Sequence, residues 1–131
     1  MSTHSKHLCK LSIIIAEDDH SRHSDNVKSK LIQWWDILTS SYPRYNETTQ
    51  LLHQMQSNFP NLVKVYSVGK SVEGKELWVI QLSQNVTQGR PLLRPMVKIV
   101  ANMHGDETLG RQLTLLLAAK ILRGYENQDL R

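Results

Sequence analysis

The sequence predicts an α/β protein, a sheet of about three strands flanked by helices. Two alternating apolar runs, "LVKVYSV" (62–68) and "LWVIQLS" (77–83), lie on either side of a glycine-containing connection. A third apolar run, "MVKIVANM" (96–103), leads within ten residues into the leucine-rich "LTLLLAAKIL" (113–122). Ahead of them, Leu52, Met55 and Phe59 recur at helical spacing. Apolar positions two apart suit a pleated strand, and positions three or four apart suit one face of a helix. Helices before and after three strands can bury their apolar stripes only against the sheet.

In chain order, residues 1–41 read as a poorly ordered or variable N-terminal segment. Residues 1–30 are rich in histidine, serine and charge, with no steady period apart from Leu11–Ile15. Residues 31–39 read as a short helix or a linker element. Trp34 and Trp35 sit beside Ile32, Ile37 and Leu38, as expected of a packed amphipathic segment. Tyr42-Pro43 breaks what precedes it, and the organised domain runs from 42 to 131. Its first helix ends at Pro60, with Asn46 as a candidate cap and Glu47 favourable in the first turn. The two strands across "GKSVEGKE" form a hairpin. Gln84–Pro95, with Gly89, Pro91 and Pro95, is a loop. Segment 113–122 is apolar nearly all round, so it is a buried helix, and Gly124 is its expected stop.

At 131 residues the chain suits one domain. Its 40% hydrophobic and 21% charged residues are those of a soluble protein. The net charge is +4, but lysine and arginine never occur three in a row. That describes a solvated surface, and nucleic acid is not an expected partner. Nothing approaches the ~18 consecutive apolar residues of a membrane span. Leu11–Ala16 is too short for a signal-peptide core and is closed by Glu17, Asp18 and Asp19. Cys9 is the single cysteine, so there is no internal disulfide framework. Two N-x-[ST] triplets, at Asn46 and Asn85, permit N-glycosylation.

The chemistry concentrates at "NMHGDETLG" (102–110). The third strand delivers His104 to its carboxyl end, where α/β proteins bind ligands. Glu107 follows three residues later, at the mouth of the helix. An imidazole and a carboxylate are both good zinc ligands, and a spacing of three puts them on one face of a turn or first helical turn. The helix N-terminus also suits a negative group. The competing reading makes Glu107 a helix cap and His104 a polar loop residue. His4 and His7 in "HSKH", and His20 and His23 beside the acids of "EDDHSRH", could bind metal loosely, but no apolar frame fixes their geometry.

Two blocks, "FPNLVKVYSVGKSVEGKELWVIQLS" (59–83) and "VKIVANMHGDETLGRQL" (97–113), occur in order. Together they closely resemble zinc metallocarboxypeptidases. The nearest subgroup is the regulatory one, like carboxypeptidases D, E, M and N, which trims C-terminal lysine and arginine. The resemblance spans about residues 42–131 and implies the N-terminal part of a mixed-sheet carboxypeptidase fold. It implies one Zn2+, held by His104, Glu107 and a second, distant histidine, with water in the open position. It also implies a glutamate base, an arginine pair, an asparagine and a tyrosine around a peptide C-terminus, and a secretory or extracellular setting. It assigns Asp106 no role.

Most of that machinery is expected downstream of Arg131, because the family's third ligand and general base follow the first motif. No catalytic residue is therefore expected here, and the chain by itself is expected to be inactive. Strand 96–103 would lack a partner on one side, and helix 113–122 would keep an apolar face uncovered. A marginal, sticky domain is the expected result. The alternative is a non-catalytic interaction or regulatory short form that binds a protein partner through the unpaired sheet edge.

Overall fold

A computed structural model describes residues 10–16, 27–88 and 92–126, with side chains from residue 33 onward within those ranges. In chain order, strand β1 (Lys10–Ala16) precedes helices α1 (Val27–Ser40) and α2 (Tyr45–Asn58). Strands β2 (Val63–Lys70), β3 (Glu76–Leu82) and β4 (Met96–Val100) follow, and helix α3 (Thr108–Glu126) ends the described chain. A short 3-10 turn spans Val86–Gln88. The four strands form one mixed sheet in the order β2-β3-β1-β4.

The expected hairpin is present: β2 and β3 pair antiparallel, Val65 opposite Ile80. Its turn closes through Gly74, which donates its N–H to the Ser71 carbonyl (2.9 Å) at a φ of +79° that glycine adopts without steric cost. The Ser67 hydroxyl donates to Glu76 across the pair, and Lys70 Nζ lies 3.1 Å from the same carboxylate. Both hold the Glu76 carboxyl below the usual carboxylate range. A carboxylate with a depressed folded pKa stabilises the fold above its unfolded pKa. That contribution disappears as pH falls through the folded value. Ser67→Ala is accordingly expected to lessen the loss of stability on acidification, measured as the urea midpoint between about pH 6 and pH 3.

β1 overturns the expectation of a poorly ordered segment at residues 10–16. It lies between β3 and β4, antiparallel to the first (Leu11 opposite Leu82) and parallel to the second (Ile13 opposite Ile99). A run of three isoleucines is a good strand former, but its place in the sheet depends on partners far along the chain. The sheet therefore has four strands rather than three. Among the described residues β4 is paired on one side only. The histidine-rich stretches 4–7 and 17–23 lie outside the described residues.

The core lies between the three helices and one sheet face. Trp34 and Leu38 of α1, Leu52 and Met55 of α2, and Leu115, Ala118 and Leu122 of α3 meet Val63, Ile80 and Leu82, all buried. The Trp34 ring stands edge-on to Phe59 at 6.3 Å, and its Nε1 donates to Gln54 Oε1 at 3.1 Å. Trp34 is thus a packed residue, as its neighbours in sequence suggested. Apolar side chains nonetheless remain exposed on β4 (Met96, Val97 and Val100) and on α3 (Leu109 and Leu113).

Two helix ends differ from expectation. The α2 N-cap is Arg44, not Asn46; the Glu47 carboxylate accepts the Arg44 N–H, so Asn46 falls inside the first turn. Such a back-reaching carboxylate satisfies a donor left over at the helix start. Gly124 does not stop α3, which continues to Glu126. A glycine costs a helix about 1 kcal/mol, and the buried stripe through Leu115, Ala118 and Leu122 outweighs that.

Candidate metal centre

β4 ends at Val100, and seven residues turn the chain into α3 at Thr108. Asn102 begins the reversal in the left-handed region, φ 58°, which asparagine tolerates better than most residues. Its Nδ2 donates to the His104 carbonyl at 2.7 Å, and the Glu107 N–H donates to the same oxygen at 3.0 Å. The second bond joins residues three apart, so His104 and Glu107 stand at the two ends of one β-turn. Both are exposed, as are Gly105 and Asp106 between them. Glu107 immediately precedes the first residue of α3, where free N–H groups and the helix dipole suit a carboxylate.

The start of α3 is clamped to the rest of the fold. A Cβ built on Gly110 would meet the Ala101 Cβ at 3.5 Å, so the helix packs closely on the end of β4. Arg111 Nη2 donates to the Pro43 carbonyl at 3.1 Å. Gln112 Nε2 donates to the carbonyls of Leu38 and Ser41, and Gln112 is buried. These two side chains tie the helix that follows the turn to the end of α1 and to the α1–α2 linker. The turn therefore sits on a strand end and a fixed helix, the rigid support a ligand pair needs.

Sequence spacing identified His104 and Glu107, and both fall in this turn. It missed Asn102, Arg111 and Gln112. An asparagine at the end of an apolar run is a usable signal for a left-handed reversal; the partners of Arg111 and Gln112 lie about seventy residues away and leave no local trace. Asn102→Ala is expected to cost about 1–2 kcal/mol for the backbone conformation and about 1 kcal/mol for the lost hydrogen bond. Asn102→Gly should recover the first part, so urea melts of the two variants separate the contributions.

The donor set, an imidazole nitrogen and a carboxylate oxygen at one turn, fits two positions of a zinc site. Among the described residues no group of three histidine, cysteine, aspartate or glutamate side chains could hold a metal ion.

A mixed sheet packed against helices, with a histidine and a glutamate at a strand-to-helix turn, makes this an α/β protein, and sequence comparison makes the class specific. Residues 48–131 match the zinc carboxypeptidase family, Peptidase_M14. The chain is 38% identical over 94 residues to the human carboxypeptidase N catalytic chain, covering 72% of this chain and 20% of that protein. It is 42% identical over 85 residues to carboxypeptidase D of Drosophila melanogaster, covering 65% of this chain and 6% of that protein. Against mouse carboxypeptidase M it is 40% identical over 74 residues, or 56% of this chain and 16% of that protein. No solved structure matches the chain. The chain belongs to the zinc carboxypeptidase family. It spans a fifth or less of the length of these relatives, and the shared stretch is the N-terminal part of the domain.

Proposed function

We propose that His104 and Glu107 are two ligands of a zinc ion, and that this chain carries the ligand-bearing turn of a metallocarboxypeptidase. The complete enzyme would remove C-terminal residues, lysine or arginine by its subgroup, from peptides. The observation that carries this reading is the His104–Glu107 turn at a strand-to-helix junction, in a chain of this family. When bound, zinc supplies an activated water at neutral pH and polarises the scissile carbonyl.

The chain's own residues supply positioning. Asn102 and the Glu107 N–H both hold the His104 carbonyl, which fixes the turn. The clamped start of α3 holds Glu107 relative to β4. Among the described residues the turn offers two protein ligands, fewer than the three usual for catalytic zinc, so these 131 residues alone are expected to bind zinc weakly and not to hydrolyse peptides. The relatives are carboxypeptidases, and nothing in them favours a partner-binding short form. A secretory-pathway setting belongs to the same reading, supported by the family resemblance; among the described residues no helix is long and apolar enough to cross a membrane.

Zinc titration followed by NMR tests the ligand assignment. The His104 ring protons are expected to shift on adding zinc. Glu107→Ala should weaken that response at least tenfold, and His104→Ala should remove zinc uptake at this turn. An unchanged response in Glu107→Ala would remove the assignment. Zinc-dependent release of free lysine from a peptide by the 131-residue chain would overturn the claim of inactivity.

A further inference from the structure

The two N-x-[ST] triplets occupy very different places in the fold. Asn46 lies in the first turn of α2. Thr48, the third residue of its triplet, is wholly buried, with its hydroxyl 3.5 Å from the Pro43 carbonyl and its N–H bonded to Arg44. A transferase must reach both the asparagine amide and the hydroxyl of the third residue, and in the folded chain helix and packing withdraw the second. Asn85 is presented in the opposite way. It lies in the turn just after β3, φ 52°, with its carbonyl accepting the Gln88 N–H at 2.9 Å. Val86 is buried and its N–H bonds the Asn61 carbonyl at 3.0 Å, while Asn85 and Thr87 on either side are exposed. The middle residue anchors the triplet and leaves the two reading groups outside.

Beside Asn85 lies an open cavity of about 460 Å³, lined by Asn58, Pro60, Asn61, Gln84 and Tyr125 among others. The cavity is remote from the metal turn. Leu82, at the end of β3, pairs with Leu11, which pairs with Val97 near the start of β4, whereas His104 follows the other end of that strand.

We infer that Asn85, and not Asn46, is an N-glycosylation site. This rests on the secretory-pathway reading above. In the reaction Asn85 Nδ2 bonds to the anomeric carbon of an oligosaccharide carried on a polyprenyl diphosphate. The bond from that carbon to the diphosphate oxygen breaks, the diphosphate leaves with the electron pair, and the amide gives up one proton. Because the site is at the far end of the sheet, the glycan leaves the His104–Glu107 turn open to a peptide.

The test expresses the full chain in animal cells, with and without an added cleavable secretory leader, and reads electrophoretic mobility before and after N-glycosidase treatment. With the leader, the chain is expected to gain the mass of one oligosaccharide, lost in Asn85→Gln and in Thr87→Ala and kept in Asn46→Gln. Thr87→Ala leaves Asn85 in place, so a folding defect specific to Asn85→Gln cannot imitate the result. A glycan that persists in both of those variants overturns the inference, as does an unmodified chain recovered from the secretory lumen. Modification with the leader supports the site whether or not these 131 residues enter the lumen unaided, and unaided entry would separately support the secretory-pathway reading.

Discussion

Trp34→Ala is expected to destabilise the chain by about 3–5 kcal/mol, the range for removing a buried tryptophan. Trp34 is 1% exposed and sits where α1 and α2 meet the sheet. Its loss opens a void beside Phe59 and leaves the Gln54 side chain without its indole donor. Trp34→Phe keeps much of the ring volume but still removes the donor, so a smaller loss of about 1–2 kcal/mol is expected. Small domains hold only about 5–15 kcal/mol in total, and the apolar side chains left exposed on β4 and α3 put this one at the low end. Urea melts at fixed pH give both numbers. Equal melts for the Ala variant and the parent would show that α1 does not belong to the cooperative core.

Deleting residues 1–16 is expected to have the second large effect. β1 joins the β2–β3 hairpin to β4; without it, β4 loses the one pairing it has among the described residues. Both flanks of β4 would then offer free N–H and C=O groups beside exposed Met96, Val97 and Val100, a surface that recruits other chains. The truncated protein should aggregate at micromolar concentration. Its amides at 97–100 should lose most of their hydrogen-exchange protection, while those of the β2–β3 hairpin retain more. Unchanged protection at 97–100 would mean that β1 does not hold β4.

What was legible in the sequence was what is short-range. The β2–β3 hairpin declares itself because its alternating runs are separated by one turn, and Gly74 stands where the turn needs it. His104 and Glu107 are readable because the spacing of a turn is local and the apolar runs on either side give its context. The role of residues 10–16 was not legible, since "LSIII" becomes a central strand only through partners that begin at Glu76 and Met96. Glu47 displaced Asn46 as the determinant of the α2 start because a longer side chain can reach back one turn to a bare N–H. Gln112 looks like an ordinary polar helix residue until the carbonyls of Leu38 and Ser41 are brought beside it.

The place of β1 also dictates an order of events during synthesis. Its first partner, the strand containing Leu82, is made 71 residues after Leu11, and the register with Val97 waits 86 residues. At ribosomal speeds of about 5–20 residues per second, the N-terminal strand spends roughly 4–17 s outside the tunnel before both neighbours exist. The hairpin can close during that wait, but the sheet cannot, and an isoleucine-rich segment left idle for seconds is a natural client for a chaperone.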